Sequence, residues 1–166
     1  MERHPVMCSV SAAIIASMIT GGATYTAQRD KDAAPVEVAP TGEITEPTSV
    51  KVGSKVRLSG WIKDLPKGYA VWGFNAQESS GQLWPLYSPC VVNEAKTAWT
   101  CPDVRVGGAN DGPGSEWELR VFAVTAQDVV DIKAYAIAKV YKGENPDFAN
   151  LSDDAILIDE MKVIRE

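Results

Sequence analysis

The chain has 166 residues and a formal net charge of −6 at pH 7, and 45% of its residues are hydrophobic. This length accommodates one folded domain with a buried core beside any anchor and linker. Because no segment concentrates Lys and Arg, the acidic balance argues against the phosphate-binding surface of nucleic-acid binders, and nucleic acid is not an expected partner.

An uncharged apolar run, residues 5–26, follows a short tail of residues 1–4. A helix of this length spans about 30 Å, which is the hydrocarbon thickness of a bilayer. The run predicts a transmembrane signal-anchor, and a cleaved signal peptide stays open because Gly21, Gly22 and Ala23 suit a peptidase site. Since the tail is too short to carry a domain, we expect a single-pass protein of the cell membrane with a cytoplasmic tail and an extracytoplasmic C-terminal domain.

Residues 27–49 are rich in Pro, Glu, Ala and Thr and contain few large apolar residues. Pro35, Pro40 and Pro47 break any helix, so this composition favours a flexible, disordered linker. An ordered N-terminal extension of the domain is the alternative. The extracytoplasmic domain itself is predicted to occupy residues 50–166.

From residue 50 the hydrophobic pattern changes to a period of two, which is typical of strands with one buried face. Between Lys55 and Ile62, for example, Val56, Leu58 and Ile62 share one face. Strand patterns recur at residues 69–75, 97–102 and 117–123. Leu83 to Tyr87 is a short aromatic segment that its proline confines to a sheet edge or an irregular strand.

One helix interrupts the strand pattern. Thr125-Ala-Gln-Asp128 resembles a capping box with Asp in place of the usual Glu, and it predicts a helix from about Ala126 to Tyr141. After a polar loop, residues 156–164 predict a last strand or strand-like tail. The chain is therefore expected to be mainly β, with one packed α-helix.

The cysteines indicate a compartment. Cys8 lies in the apolar run, whereas Cys90 and Cys101 lie in the domain at a spacing compatible with adjacent strands. We predict that the latter two form a disulfide, which for so short a loop contributes about 2–3 kcal/mol in the chain-entropy model and persists only in an oxidising compartment. Two buried thiols in a cytosolic domain are the alternative.

Groups for catalysis are sparse. The only histidine is His4, on the cytoplasmic side in this topology, so histidine-dependent catalysis and histidine metal sites are not expected in the domain. Glu116 and Glu118, two residues apart on a predicted strand, would lie about 7 Å apart, as in a glycoside hydrolase, but a solvated strand face explains them as well. The loop acids match no calcium-loop spacing, so no metal and no cofactor is predicted.

Five tryptophans are a richer signal, and all lie in the domain. Trp72, Trp99 and Trp117 fall on apolar faces and are expected in the core, one of them against the disulfide. Trp84 and Tyr87 lie in the Pro-interrupted segment, where a flat aromatic ring could stack on a sugar. Core packing is the favoured interpretation for these two, and the alternative makes them the predicted ligand-binding residues.

Four features in a fixed order carry a resemblance to a known group of domains. They are a Gly-x-x-x-Trp strand at Gly68 to Trp72, a Trp-x-Cys strand at Trp99 to Cys101, a Gly-rich loop at Gly107 to Gly114 and the apolar strand from Trp117. Their order resembles that of uncharacterised extracytoplasmic β-sandwich (Ig-like) domains of single-pass, membrane-anchored Gram-positive bacterial proteins. The resemblance covers about half of the chain and implies an Ig-like antiparallel β-sandwich with one helix. It carries over no catalytic residue.

We therefore predict a membrane-anchored extracytoplasmic binding or interaction module rather than an enzyme. Its expected partners are the membrane, through the N-terminal helix, and either a cell-wall glycan or a membrane protein. One alternative is a cell-wall or carbohydrate-binding domain that uses Trp84 and Tyr87. The other is a glycoside hydrolase-like enzyme that uses Glu116 and Glu118.

Overall fold

The computed structural model describes residues 38–77, 81–108, 111–144 and 146–166. Within them the chain forms, in order, β1 (Thr41–Glu46), β2 (Lys51–Val52), β3 (Lys55–Lys63), β4 (Ala70–Ala76), β5 (Leu83–Pro85), β6 (Val91–Val92), β7 (Ala98–Arg105), β8 (Glu116–Val124), α1 (Ala126–Tyr141) and β9 (Ile156–Arg165). The predicted transmembrane segment, residues 5–26, lies outside the described residues. Among the residues described, no helix combines the length and the apolar character needed to cross a bilayer.

The strands form two sheets. The four-stranded sheet has the order β1-β3-β7-β6, and the five-stranded sheet has the order β2-β9-β8-β4-β5. Neighbouring strands are antiparallel except β2 and β9, which are parallel. One core lies between the sheets, and α1 packs on the other face of the five-stranded sheet. The mainly-β prediction with one helix is confirmed, and the architecture is consistent with a β-sandwich.

Strand β3 shows how the alternating sequence produces this arrangement. Leu58 and Ile62 are fully buried in the core, whereas Lys55 and Arg57 are exposed. Its partner β7 continues past Pro102 to Arg105 through a bulge between Cys101 and Val104, where Asp103 has a φ of 52°. A bulge leaves residues unpaired, so it accommodates a proline that has no N–H to donate.

The core between the sheets, which we call the sandwich core, is apolar and includes both domain cysteines. Its larger buried members are Leu58, Ile62, Val71, Trp99, Val104, Val106, Trp117, Leu119, Val121 and Val163. The indole N–H of Trp99 donates to the Trp61 carbonyl at 3.1 Å, and that of Trp117 donates to Ser115 Oγ at 3.3 Å. Both large rings are therefore buried without leaving an unsatisfied donor.

A second apolar layer, the helix layer, lies between α1 and the five-stranded sheet. It is built on Trp72 and Phe74 of β4, Val124 and, from the helix, Ile132. Trp72 was expected in the same core as the other buried tryptophans, but strand alternation places it on the opposite face of its sheet. Its indole N–H donates to the Leu86 carbonyl at 2.8 Å.

The predicted capping box begins α1. The Asp128 amide donates to Thr125 Oγ1 at 3.2 Å, and the Thr125 amide donates to Asp128 Oδ2 at 2.9 Å. Asp128 is only 3% exposed and also accepts hydrogen bonds from the amide and hydroxyl of Ser152. Burial raises the pKa of Asp128, but the hydrogen bonds from Ser152 and Thr125 outweigh it and leave the pKa below its ordinary value. The cap thereby fastens the helix to the loop before β9.

The domain begins earlier in the chain than predicted. Within the predicted linker, residues 27–49, the segment Thr41–Glu46 forms strand β1 and pairs with β3. The Ile44 amide also donates to Asp159 Oδ2 of β9 at 2.8 Å. Composition concealed this strand because an edge strand needs few large apolar residues, and Ile44 is the only one here. Residues 27–37 of the predicted linker lie outside the described residues.

Candidate functional site

The predicted disulfide joins Cys90 and Cys101, whose Cα atoms are 4.2 Å apart. The β6–β7 register pairs Val91 with Thr100, so Cys90 lies opposite Cys101 in the same sheet. The Cys90 amide also donates to the Val71 carbonyl in the other sheet at 3.0 Å. The bridge therefore fixes the point at which the chain passes from the five-stranded sheet to the four-stranded sheet.

This bridge differs from the disulfide of immunoglobulin domains, which crosses the core from one sheet to the other. Beside the bridge, the backbone of β4 approaches so closely that a glycine fits at residue 73 without displacing a neighbour. A Cβ atom at Gly73 would lie 2.8 Å from Leu86 Cδ1 and 3.5 Å from Cys101 Sγ. The prediction of a buried bridge in a tryptophan-containing core is confirmed, while the Ig-like assignment stays a prediction.

Trp84, the first predicted ligand-binding residue, lies in the edge strand β5 opposite Asn75. Its ring packs edge-on against Trp117, with centroids 5.7 Å apart and planes at 64°. The side chain is partly buried against the sandwich core. Trp84 therefore contributes to the packing of the domain and keeps part of its ring at the surface.

Tyr87, the second predicted residue, is 56% exposed. Burial raises the pKa of Tyr135 on α1, and the nearby Tyr87 hydroxyl and Asp147 carboxylate raise it further. Phe148 packs edge-on against Tyr135 with centroids 5.5 Å apart. We call Tyr87, Tyr135 and Asp147 the tyrosine site, since it combines an exposed ring with hydroxyl and carboxylate groups.

The two predicted ligand-binding residues occupy different surroundings. Trp84 packs on Trp117 in the sandwich core, whereas Tyr87 is exposed to solvent. Among the described residues, no stacking or edge contact joins their rings. A ligand held by both would have to extend along the edge of the five-stranded sheet.

Glu116 and Glu118 point away from the sandwich core on the same face of β8, as the alternation predicted. Glu118 is buried and forms an ion pair with Arg120, and its other oxygen lies 4.0 Å from Lys162 Nζ. Arg120 in turn lies 3.1 Å from Glu160. Both carboxylates border a cavity of about 150 Å³, but the oxygens of Glu118 are already engaged by cations. This arrangement fits a charge network on a strand face better than an acid/base pair.

The acidic loop residues are dispersed. The Asp111 carboxylate accepts a hydrogen bond from the Gly108 amide, and Asp153 and Asp154 border a separate cavity with Tyr69. In the parts of the chain that the structure describes, no group of three or more His, Cys, Asp or Glu side chains could hold a metal ion.

A cavity that no local sequence pattern predicts lies where the start of β3 meets the ends of β7 and β9. Ser54, Lys55, Arg105, Gly108 and Arg165 line a cavity of about 230 Å³, which we call the cationic cavity. Its three basic residues come from segments far apart in the sequence, so no local cluster of charges predicts the cavity. The one available signal was strand register, since Lys55 lies directly opposite Arg105.

Comparison with known proteins gives no relative for this chain: no family model, no curated protein and no solved structure matches it. Fold and side-chain geometry are therefore the basis of the functional proposals.

Proposed function

We propose that this protein is a non-catalytic binding module displayed outside the cytoplasm and held at the membrane by residues 5–26. The observation that carries the proposal is the Cys90–Cys101 disulfide at the crossing between the sheets. A structural disulfide in the core of a domain is maintained in an oxidising compartment and is rare in the cytosol. The apolar run supplies a route of export to such a compartment.

Protease and thiol accessibility in intact cells test this topology. The full chain carrying Cys8→Ser is expected to be digested by external protease, and its two remaining cysteines should react with a thiol reagent only after reduction and denaturation. A cytosolic protein of similar size is the control for cell integrity. A domain that survives external protease and carries two free thiols would contradict the proposal.

A cell-wall glycan is the ligand class that the tyrosine site favours. Tyr87 offers an exposed flat ring, and both its hydroxyl and the Asp147 carboxylate interact electrostatically with Tyr135, whose pKa they raise. An aromatic ring covers apolar surface, and hydroxyl and carboxylate groups exchange hydrogen bonds with sugar hydroxyls. The proposed alternative is therefore a carbohydrate-binding domain centred on Tyr87, with Trp84 as a secondary contact.

Glycan retention by the full chain tests this alternative. Tyr87→Ala should keep the fold and lose retention on cell-wall glycans, because its ring is exposed. Trp84→Ala is expected to lower stability as well, since that ring packs on Trp117. Tyr141→Ala is the matched control, because Tyr141 is 83% exposed at the end of α1 and belongs to neither site. Equal retention by the Tyr87 and Tyr141 variants would exclude the tyrosine site.

A further inference from the structure

Three basic side chains converge on the cationic cavity of a protein whose net charge is −6. Within the described residues, Lys55, Arg105 and Arg165 form no ion pair with a carboxylate. The nearby Asp111 carboxylate is instead held by the Gly108 amide. The cavity therefore gathers three cations beside the single Asp111 carboxylate, so positive charge is in excess at one concave point, where the field is focused.

The placement of two of these cations opposes folding. Lys55 and Arg105 lie directly opposite each other on neighbouring strands, so both side chains leave the same face of the sheet. Like charges at directly opposite positions destabilise a sheet. An anion bound between them would remove this repulsion.

The backbone around the cavity is fixed before any ligand arrives. The buried amide of Asn75 donates through Nδ2 to the Arg105 carbonyl. The Arg165 guanidinium donates to the Gly108 carbonyl at 2.8 Å, and the Arg165 backbone amide donates to the Ser115 carbonyl at 2.9 Å. Groups held in this way lose little further conformational freedom on binding.

We propose that the cationic cavity binds a phosphate group. Guanidinium groups present N–H donors in a fixed fork that matches an oxyanion, and the lysine adds a mobile point charge. Three cations suit one phosphate group and are too few for the extended surface of a nucleic-acid binder. The phosphate is free in solution, part of a phosphodiester polymer or the headgroup of an anionic lipid, and the experiment distinguishes these sources.

The test uses the full chain reconstituted in phosphatidylcholine nanodiscs, free of detergent, at constant ionic strength. Calorimetric titration with inorganic phosphate, a glycerol phosphate polymer and phosphatidylglycerol vesicles is compared for the wild type and the double variant Lys55→Gln/Arg105→Gln. We expect saturable binding that the double variant weakens at least about tenfold, because two charge-assisted contacts are lost. Lys67→Gln/Lys133→Gln removes the same charge from exposed positions elsewhere and should bind as the wild type does.

Each outcome decides between the sources or against the site. Saturation with inorganic phosphate indicates a small phosphate ligand, whereas binding of the polymer or the vesicles alone indicates a phosphodiester chain or a lipid headgroup. The proposal is overturned if none of the three probes binds, or if the double variant binds as tightly as the wild type. Retention of glycans through Tyr87 should be unchanged in the double variant, so this test is independent of the proposed function.

Discussion

The two faces of the five-stranded sheet are closed in different ways. Its inner face packs against the second sheet in the sandwich core, beside the buried Cys90–Cys101 bridge. Its outer face is covered by α1 in the helix layer, and the helix is fastened by the hydrogen bonds of Asp128. The sandwich core contains a disulfide within one of its two sheets and should respond to reduction, while the helix layer depends on a buried carboxylate at the start of α1 and should respond to acid. Each layer is therefore expected to lose stability under a different condition.

The largest effect is expected in the sandwich core. Trp99→Ala should lower the free energy of unfolding by about 3–5 kcal/mol, since a fully buried ring leaves a cavity behind. Trp61→Ala, on the neighbouring strand and 42% exposed, should cost less than about 1 kcal/mol. Urea unfolding of both variants measures the difference. Equal losses would mean that the sandwich core does not govern stability.

Loss of the bridge comes next. Cys90→Ala/Cys101→Ala should lower the free energy of unfolding by about 2–3 kcal/mol, because the unfolded chain is no longer closed into a loop. A reducing agent should destabilise the wild type to the same extent and leave the double variant unchanged. The helix layer contains no part of the bridge. If removal of the bridge lowered the helical signal of the folded protein, the two layers would not be independent.

The helix layer is expected to lose stability in acid. Because the folded-state pKa of Asp128 lies below the ordinary value of 3.8, the ionised carboxylate stabilises the fold above that pH, and this stability is lost as the pH falls through the folded-state pKa. At neutral pH Asp128→Asn should lower the free energy of unfolding by about 1–2 kcal/mol, as for loss of a helix cap. Below about pH 4 the difference from the wild type should shrink.

The control for this prediction is Asp131→Asn on the same helix. Asp131 is exposed and accepts one hydrogen bond from Gln127 at 3.1 Å, so its loss should be small at every pH. Thermal unfolding of the three proteins from neutral to acidic pH provides the measurement. A deficit of Asp128→Asn that stays constant into strong acid would rule out the carboxylate as the acid-sensitive group.

The smallest effect is expected outside both layers. Lys55→Gln should raise the free energy of unfolding by less than about 1 kcal/mol, since it removes the repulsion from Arg105 on the opposite strand. Lys67→Gln, at an exposed turn position, is expected to change nothing measurable. Chemical unfolding in phosphate-free buffer measures this. A destabilised Lys55→Gln protein would show that the repulsion is already relieved in the free protein.

Sequence predicted best where a pattern is local. The Thr125–Asp128 cap and the extent of α1 depend on residues that are close in the chain, and both were predicted. The alternation of β3 predicted its buried face in the same way. Strand β1 was missed because an edge strand buries little, and the side of its sheet on which Trp72 packs depends on the topology rather than on the strand.

The candidate sites were less predictable for the same reason. The disulfide was predicted because two cysteines in one short loop leave one pairing within the domain. The cationic cavity requires the register of β3 with β7 and the position of the end of β9, which no local pattern contains. Trp84 and Tyr87 are close in sequence, yet Trp84 packs against the sandwich core and Tyr87 is exposed, because the chain leaves the five-stranded sheet after β5.

The position of β9 has a consequence for biosynthesis. This strand is the last of the domain along the chain, yet it lies inside the five-stranded sheet between β2 and β8, and the Ile44 amide of β1 donates to its Asp159. Until residue 165 has left the ribosome, β8 has β4 on one side but no strand on the other, and β2 lacks the strand with which it pairs. The five-stranded sheet can therefore be completed only after β9 has been synthesised, and until then the open edge of β8 is available to other chains.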